Sequence, residues 1–585
     1  MKKRTLFACG LAAALFAGCS SDDVTVDNGT IDPNAKSYLS LRVSLPSTSG
    51  NSSRDTSTPG NQKNDVFNSG DPDEYKVSSI DLVCFDNDDK IVDILPNISG
   101  ATWTGSTNGI TTEAILPAQS VASTTKKVLV LINRPTTLLI NGTAPLAKGS
   151  TFADLNAALT VTKTENLTGD GYNNFFMSNA PLSDGKTAGH RTVLVNVDTK
   201  KTKELAMADA REVYVERAVG KVSMTVNNES GTHWTPATWT YKIAADEGYK
   251  DDEITIKAWK IDNYNLKTYP VRKYVEKADT WEGYVANENG QRFFGGLKYK
   301  GNYYYDPAGG TLEGRTYWAE DPNYEGKDGL QTSTGNFDDV ADVATLSKPQ
   351  YCLENTFNVD NMKNENTTRV VIKALYHPNG LTSGETWFRI GNTKTAYSAS
   401  TLTDKINEVL GLSGTDVVKL KAHGTSADQY TYEQGEQEFK EEMFAAASAS
   451  NAAITAPQIT TLKTALGSLT GFIDGYCYYT AFIQHFGSYY TPWGNDTNAH
   501  DWGEANGGKF YNYIDNTLTG EEEYLLGRYG VVRNNWYQLE LGDVSAPGSP
   551  KVPGVDTTPD DEVKYYISTT VKIMDWAVRK QSVNL

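Results

Sequence analysis

The chain has 585 residues, of which 39% are hydrophobic and 11% aromatic, and its formal net charge is −18. At roughly 100–200 residues per domain it holds about two to four domains, and it is too apolar to be a disordered chain. Residues 1–54 carry six Lys/Arg and four Asp/Glu, which leaves 48 basic and 68 acidic residues beyond them, a net −20 that repels phosphate backbones and argues against a nucleic-acid partner.

The N-terminus reads as a processing segment. Lys2, Lys3 and Arg4 precede an apolar stretch from Leu6 to Ala17, too short to span a bilayer comfortably. It ends Leu15-Phe16-Ala17-Gly18-Cys19, which resembles a bacterial lipobox with Cys19 as the lipid-modified residue. A diacylated thiol with an acylated amine would bury enough CH₂ groups to anchor the precursor. Ser20-Ser21-Asp22-Asp23 comes next, similar to the surface-export signals of some Gram-negative lipoproteins. With Cys9 inside the signal, Cys84, Cys352 and Cys477 remain, an odd and scattered set without a CxxC pair, so buried free thiols are expected rather than a disulfide framework.

After a polar tether over residues 20–36, Leu39, Leu41, Val43 and Leu45 alternate strictly with polar residues, predicting a half-buried strand. It has no hairpin partner directly after it. Pro46 to Asp73 is a polar stretch of Ser, Thr, Asn, Gly, Asp and Pro, so a well-formed strand hangs ahead of the domain on a long loop. Further strands are expected at Val77–Phe85, Lys127–Ile132, Thr192–Val197, Val213–Val226, Trp239–Ile243 and Ile254–Ile261, with a short helix at Phe152–Ala158. A domain boundary is placed near residue 229. Beyond it, helical periodicity at Leu402–Leu410, Glu433–Ser448 and Pro457–Leu466 predicts a small helical insertion in a β-rich second domain, before strands resume at Tyr476–His485, Trp536–Leu541 and Val563–Leu585.

Nothing reads as an active site. HExxH, GxSxG and GxGxxG are absent, and Ala180-Pro-Leu-Ser-Asp-Gly-Lys186-Thr187 lacks the first glycine of a phosphate-binding loop. His485 and His500, near Asp496, Asp501 and Glu504, allow a cation site, but a solvated acidic loop is the simpler reading, and neither a metal nor a cofactor is expected. Tyr489, Tyr490 and Trp493 suit either a sugar-stacking platform or ordinary packing.

Four segments together resemble the Mfa-type and FimA-type major (shaft) fimbrial subunits that build type V pili. They are Gly171-Tyr-Asn-Asn-Phe-Phe-Met-Ser-Asn179, Val213-Tyr-Val-Glu-Arg-Ala-Val-Gly-Lys-Val222, Cys352-Leu-Glu-Asn-Thr-Phe357 and Gly527-Arg-Tyr-Gly-Val-Val-Arg-Asn-Asn-Trp-Tyr537. With the lipobox, they spread the likeness over nearly the whole chain. The resemblance implies an all-β fold with minor helices, built as two transthyretin-like, Greek-key β-sandwich domains over residues 55–228 and 229–585, behind a signal over 1–19 and a propeptide over 20–54. It implies a non-enzymatic structural subunit, held in the outer membrane as a lipoprotein precursor and cut by an arginine-specific protease in the loop after the first strand. Arg54 is the candidate, making Asp55 the new N-terminus, because Arg42 lies inside the strand and Lys63 is the wrong residue type. Loss of the detachable strand would open a groove for the C-terminal strand of the next subunit. The partners implied are further copies of the chain in a cell-surface homopolymer, accessory anchor and tip subunits, the protease and an unspecified surface receptor.

Such an exchange is β-augmentation, in which main-chain bonds supply affinity and alternate side chains fill pockets. In the tail, Val563, Tyr565, Ile567, Val571 and Ile573 share one phase, while Met574, Trp576 and Val578 take the other. A phase change near Ile573 implies a bulge or a switch of pairing partner. The donor candidates are therefore Val571, Ile573, Met574, Trp576, Val578, Val583 and Leu585, against an ordinary last strand of the second domain. A tip or anchor subunit of the same pilus, or a monomeric surface glycan-binding lipoprotein, are the competing readings.

Overall fold

The computed structural model describes residues 36–45, 71–105, 112–136, 138, 146–157, 159–160, 164–180, 182–183, 191–227, 233–244, 248–273, 294–295, 314–316, 319–326, 330–331, 337–485, 529–558, 560, 567–574 and 579–581. Strands dominate, as the all-β expectation holds, and the apolar side chains gather into two large cores and a smaller third one.

The first core is built on a nine-stranded sheet. Its order runs Ile91–Leu95, Ile80–Phe85, Lys127–Ile132, Met177–Asn179, Arg211–Arg217, Leu41–Ser44, Thr112–Ile115 and Thr102–Gly105, with Val195–Asn196 added beside Lys127–Ile132. Inner strands here are apolar on both faces: Val128, Leu129, Val130, Leu131 and Ile132 are all fully buried, which is why this segment reads as a continuous run rather than an alternation. The expected strand over Thr192–Val197 is two short ones, Arg191–Thr192 and Val195–Asn196, and the expected helix is Phe152–Leu155, capped by Thr151.

Val213–Val226, read as one strand, breaks at Ala218. Arg211–Arg217 stays in the first sheet, while Val219–Val226 pairs with Gln350–Leu353 on one side and, in parallel, with Trp536–Val544 on the other. Val219 thus packs in the first core, and Val222, Met224 and Val226 in the second. Gly220 sits where a Cβ would meet Val531 Cγ1 at 2.5 Å, so the two segments approach more closely than any side chain allows.

The second core lies between two five-stranded sheets. One runs Gln350–Leu353, Val219–Val226, Trp536–Val544, Ile567–Met574 and Arg579–Gln581; the other runs Trp234–Thr235, Thr240–Lys242, Glu253–Asp262, Arg369–His377 and Tyr476–Phe482. The sequence pattern predicts no strand between Ile261 and Tyr476, yet Arg369–His377 is an inner strand with Val370, Val371, Ile372 and Ala374 buried. Arg369 to Ile372 are buried in succession, which hides the alternation that sets in only from Ile372 to His377.

The insertion comprises helices Ala399–Leu410 and Ala456–Leu466 against a three-stranded sheet of Trp387–Ile390, Leu469–Phe472 and Gly435–Gln437. Ser398 caps the first helix, whose end is set by Gly411 at φ 66°. The helix expected over Glu433–Ser448 is absent. Gly435 takes φ 102°, and Gln434 turns its amide onto the Tyr476 and Pro550 carbonyls at 2.7 and 2.6 Å, so the segment is held as a short strand and a 3₁₀ turn. Cys84, Cys352 and Cys477 are buried free thiols, each pushed up to about 12 chiefly by burial.

Candidate assembly groove

Leu41–Ser44 lies inside the first sheet, parallel to Arg211–Arg217 and antiparallel to Thr112–Ile115. Just before it, Lys36–Leu39 pairs antiparallel with Gln119–Ala122, and Tyr38 exchanges two main-chain bonds with Lys200 at 2.7 and 2.8 Å. This leader strand supplies Leu39, Leu41, Val43 and Leu45 to the first core, none more than 3% exposed. Without it, Arg211–Arg217 and Thr112–Ile115 would face each other as two unpaired edges across an apolar trough.

The crossover between the two pairing segments is Ser40. It is buried, its hydroxyl donates to the Leu116 carbonyl at 2.8 Å, and its oxygen lies 3.4 Å from the Met207 sulfur. Main-chain bonds flank it, from Leu116 N to Leu41 O at 2.8 Å and from Arg211 N to Ser40 O at 3.1 Å. Met207 belongs to the helix Lys203–Ala208, which Thr202 caps and which buries only Ala206. At the strand's start Lys36 pairs with Asp93 at 3.2 Å, and Lys148 reaches the same carboxylate at 2.7 Å. Burial pushes Asp93 up, but these two cations outweigh it and hold the carboxyl below its ordinary value.

The tail lies at one border of the five-stranded sheet that carries Trp536–Val544. Ile567–Met574 pairs antiparallel with Trp536–Val544, placing Val571, Ile573 and Met574 opposite Leu539, Tyr537 and Trp536. Arg579–Gln581 folds back on it as the outermost strand. Of the donor candidates, Val571, Ile573 and Met574 therefore sit on a strand of their own sheet. Trp576, Val578, Val583 and Leu585 lie outside the described residues, as do Cys19, Arg54, Asp55, Tyr489, Tyr490, Trp493 and His500. His485 is buried with Nδ1 2.7 Å from the Tyr537 hydroxyl.

Residues noted in the sequence only as parts of motifs converge on the seam between the two cores. Lys221 meets Glu74 at 2.6 Å with both side chains 1% exposed, and its ammonium lies 3.9 Å from the centroid of the Trp536 ring. Glu74 also accepts a very close bond from the Tyr351 hydroxyl, and its carbonyl takes Arg217 Nε at 2.7 Å. Burial first, and then the Glu74 charge, push the Tyr351 phenol well above its ordinary value. Arg217 NH1 reaches Asn534 Oδ1 at 3.3 Å across 317 positions of sequence. Beside it Arg272 pairs with Glu216 at 2.7 Å, and Arg533 lies 3.4 Å from Glu354 while donating to Thr268 Oγ1 and the Tyr269 carbonyl. Asn179 ties two inner positions of the first sheet, the Val130 amide and the Val128 carbonyl, to the Val193 carbonyl in the adjoining bend. The signal for this seam was the charged residue inside three of the four motifs, since a buried charge requires a partner.

Residues 37–235 match the family model for the major fimbrial subunit protein (FimA), and residues 505–582 match that for the C-terminal part of major fimbrial subunit protein type IV, fimbrillin. Comparison with curated proteins gave no match. Among solved structures, a fimbrilin (FimA) from Porphyromonas gingivalis W83 aligns at 13% identity and TM-score 0.32, over 94% of this chain and 100% of that one. The tip fimbrial protein Mfa3 from Porphyromonas gingivalis aligns at 9% and 0.29, over 92% and 99%. A fimbrial assembly protein from Parabacteroides distasonis aligns at 12% and 0.25, over 62% and 92%. By its two family-model matches, one over the leader strand and first core and one over the C-terminal region, this chain resembles the major fimbrial subunits.

Proposed function

We propose that the chain is a structural subunit of a cell-surface fimbria that supports adhesion and polymerises with itself and with accessory fimbrial proteins. It is made as a lipoprotein precursor on Cys19, delivered to the outer membrane, cut by an arginine-specific protease between Arg54 and Asp55, and assembled by donor-strand exchange. The role is structural, not enzymatic. The observation that carries this reading is the position of Leu41–Ser44: an inner strand of its sheet, yet near the start of the chain and ahead of the polar stretch from Pro46 to Asp73. A strand so placed can leave through one cut, and the trough it vacates is closed by another strand of similar pattern. The domain division over residues 55–228 and 229–585 belongs to the same reading, with the tail of residues 563–585 as donor.

Two measurements on purified fibres test it. N-terminal sequencing should begin at Asp55, and deletion of Met574–Leu585 should abolish polymers while leaving an exported, cleavable monomer. Fibres that still begin at Cys19 refute the maturation step. Polymers formed by the truncated chain refute exchange through this tail, and unfolding of the truncated chain makes the tail an intrinsic strand of its own domain.

A further inference from the structure

The leader strand departs from simple alternation at one place, and that departure constrains whatever replaces it. Leu39, Ser40 and Leu41 are buried in succession, at 3%, 1% and 1% exposure. A strand covered on one face would leave the middle residue open. Here Leu39 and Leu41 point into the core while Ser40 is covered by the Leu116 carbonyl and by Met207. The groove therefore has a seat closed on both sides that admits only a small residue, flanked by two apolar pockets. Larger side chains would have to displace Met207 or break the main-chain bonds on either side.

Residues 563–585 hold few small residues to offer. Ser568 lies on the strand paired with Trp536–Val544, and Ser582 has Gln581 before it, which would enter the Leu39 pocket with an unpaired amide. Ala577 is small and has an apolar residue on each side, Trp576 and Val578. The helix over the seat also suits an incoming chain. Leu205 and Met207, 55% and 45% exposed, are the exposed large hydrophobics among the described residues, and both lie on Lys203–Ala208. Resting on the donor-strand reading above, we propose that the tail of a second copy docks with Ala577 in the Ser40 seat and with Trp576 and Val578 in the Leu39 and Leu41 pockets.

The register is read by cross-linking. Full-length precursor carrying Met207→Cys and Ala577→Cys, cut and assembled under mild oxidant, should give covalent multimers on a non-reducing denaturing gel. Met207→Cys with Ser582→Cys should not. Background from the cut chain is low because its three thiols, Cys84, Cys352 and Cys477, are buried with their pKa values raised. Met207→Cys with Ser40→Cys should close within one chain of uncut precursor, which checks the reach of the pair. A size series decides independently: Ala577→Ser restores the bond to the Leu116 carbonyl and assembles at least as well as wild type, while Ala577→Leu lowers polymer yield by about tenfold or more. Equal yields for Ser and Leu, or linkage through position 582 instead of 577, overturn the register even where deletion of Met574–Leu585 still abolishes polymers. If that deletion leaves polymers intact, the donor-strand reading itself has failed.

Discussion

Leu41→Ala in the uncut precursor is the most direct probe of the leader strand. The side chain is 1% exposed and packs in the first core, so its truncation leaves a cavity between two paired strands. Leu→Ala changes in well-packed cores cost about 2–5 kcal/mol. For a domain of roughly 150–250 residues that lowers Tm by about 4–20 °C. The larger frame is the whole strand. Leu39, Leu41, Val43 and Leu45, at about 1.5–3 kcal/mol each, bring roughly 6–12 kcal/mol as an upper estimate. That is comparable to the net stability of an entire domain, about 5–15 kcal/mol. The leader's burial is thus large enough to hold the domain folded. The assay is thermal unfolding of purified precursor and of mature fibres, each with and without the substitution. On the proposed maturation, which removes residue 41, a lower Tm is expected in the precursor alone. An equal loss in mature fibres would show that the leader stays in the polymer, and no loss in the precursor would show that this packing is not what stabilises it.

The buried charges give two further outcomes. Lys221→Met strands the Glu74 carboxylate at the seam and should cost about 3–5 kcal/mol in urea unfolding, with much of that recovered when Glu74→Gln is added; a double variant no better than the single would refute the coupling. Asp321 is held up to about 8 by burial, against the Thr356 and Asn323 bonds that favour its ionised form. Its folded pKa lies above its unfolded one, so the folded state binds the extra proton between about pH 4 and 8, and the stabilisation present below pH 4 is lost as pH rises through that window. Measured against Asp321→Asn, the wild type should lose relative stability by up to about 1.4 kcal/mol per pH unit there, and parallel curves would refute the assignment.

The leader was legible because its pattern is local: four apolar residues at period two need no knowledge of their partners. The seat at Ser40 was not, since it is made by Leu116 and Met207, which lie 76 and 167 positions away. Helices Ala399–Leu410 and Ala456–Leu466 were legible from periodicity and caps, whereas the Glu- and Lys-rich stretch beginning at Glu433 imitates a helix until Gly435 and Gln434 are tied elsewhere. The motif residues Glu216, Arg217, Lys221, Arg533 and Asn534 were visible as a pattern but not as a mechanism, because their partners come from both ends of the chain.

The seam and the leader divide the work of holding the N-terminal region in a physically distinct way. Upstream of the polar loop, the leader is held by backbone ladders and by apolar side chains, interactions that any strand of the same pattern reproduces. Downstream of it, Glu74 is held by a buried ammonium, a phenol and the strand that carries Arg217, a set specific to one carboxylate at one position. On the proposed donor-strand exchange, a break within residues 46–70 would separate a segment that can be exchanged from one that cannot. The chain on the C-terminal side of such a break would stay fixed to both cores through Glu74, so on the proposed exchange, loss of the leader would open the groove without loosening the junction between them. The charged motif residues, Glu216 and Arg217 at the end of the groove-wall strand among them, are what would confine the change to the groove.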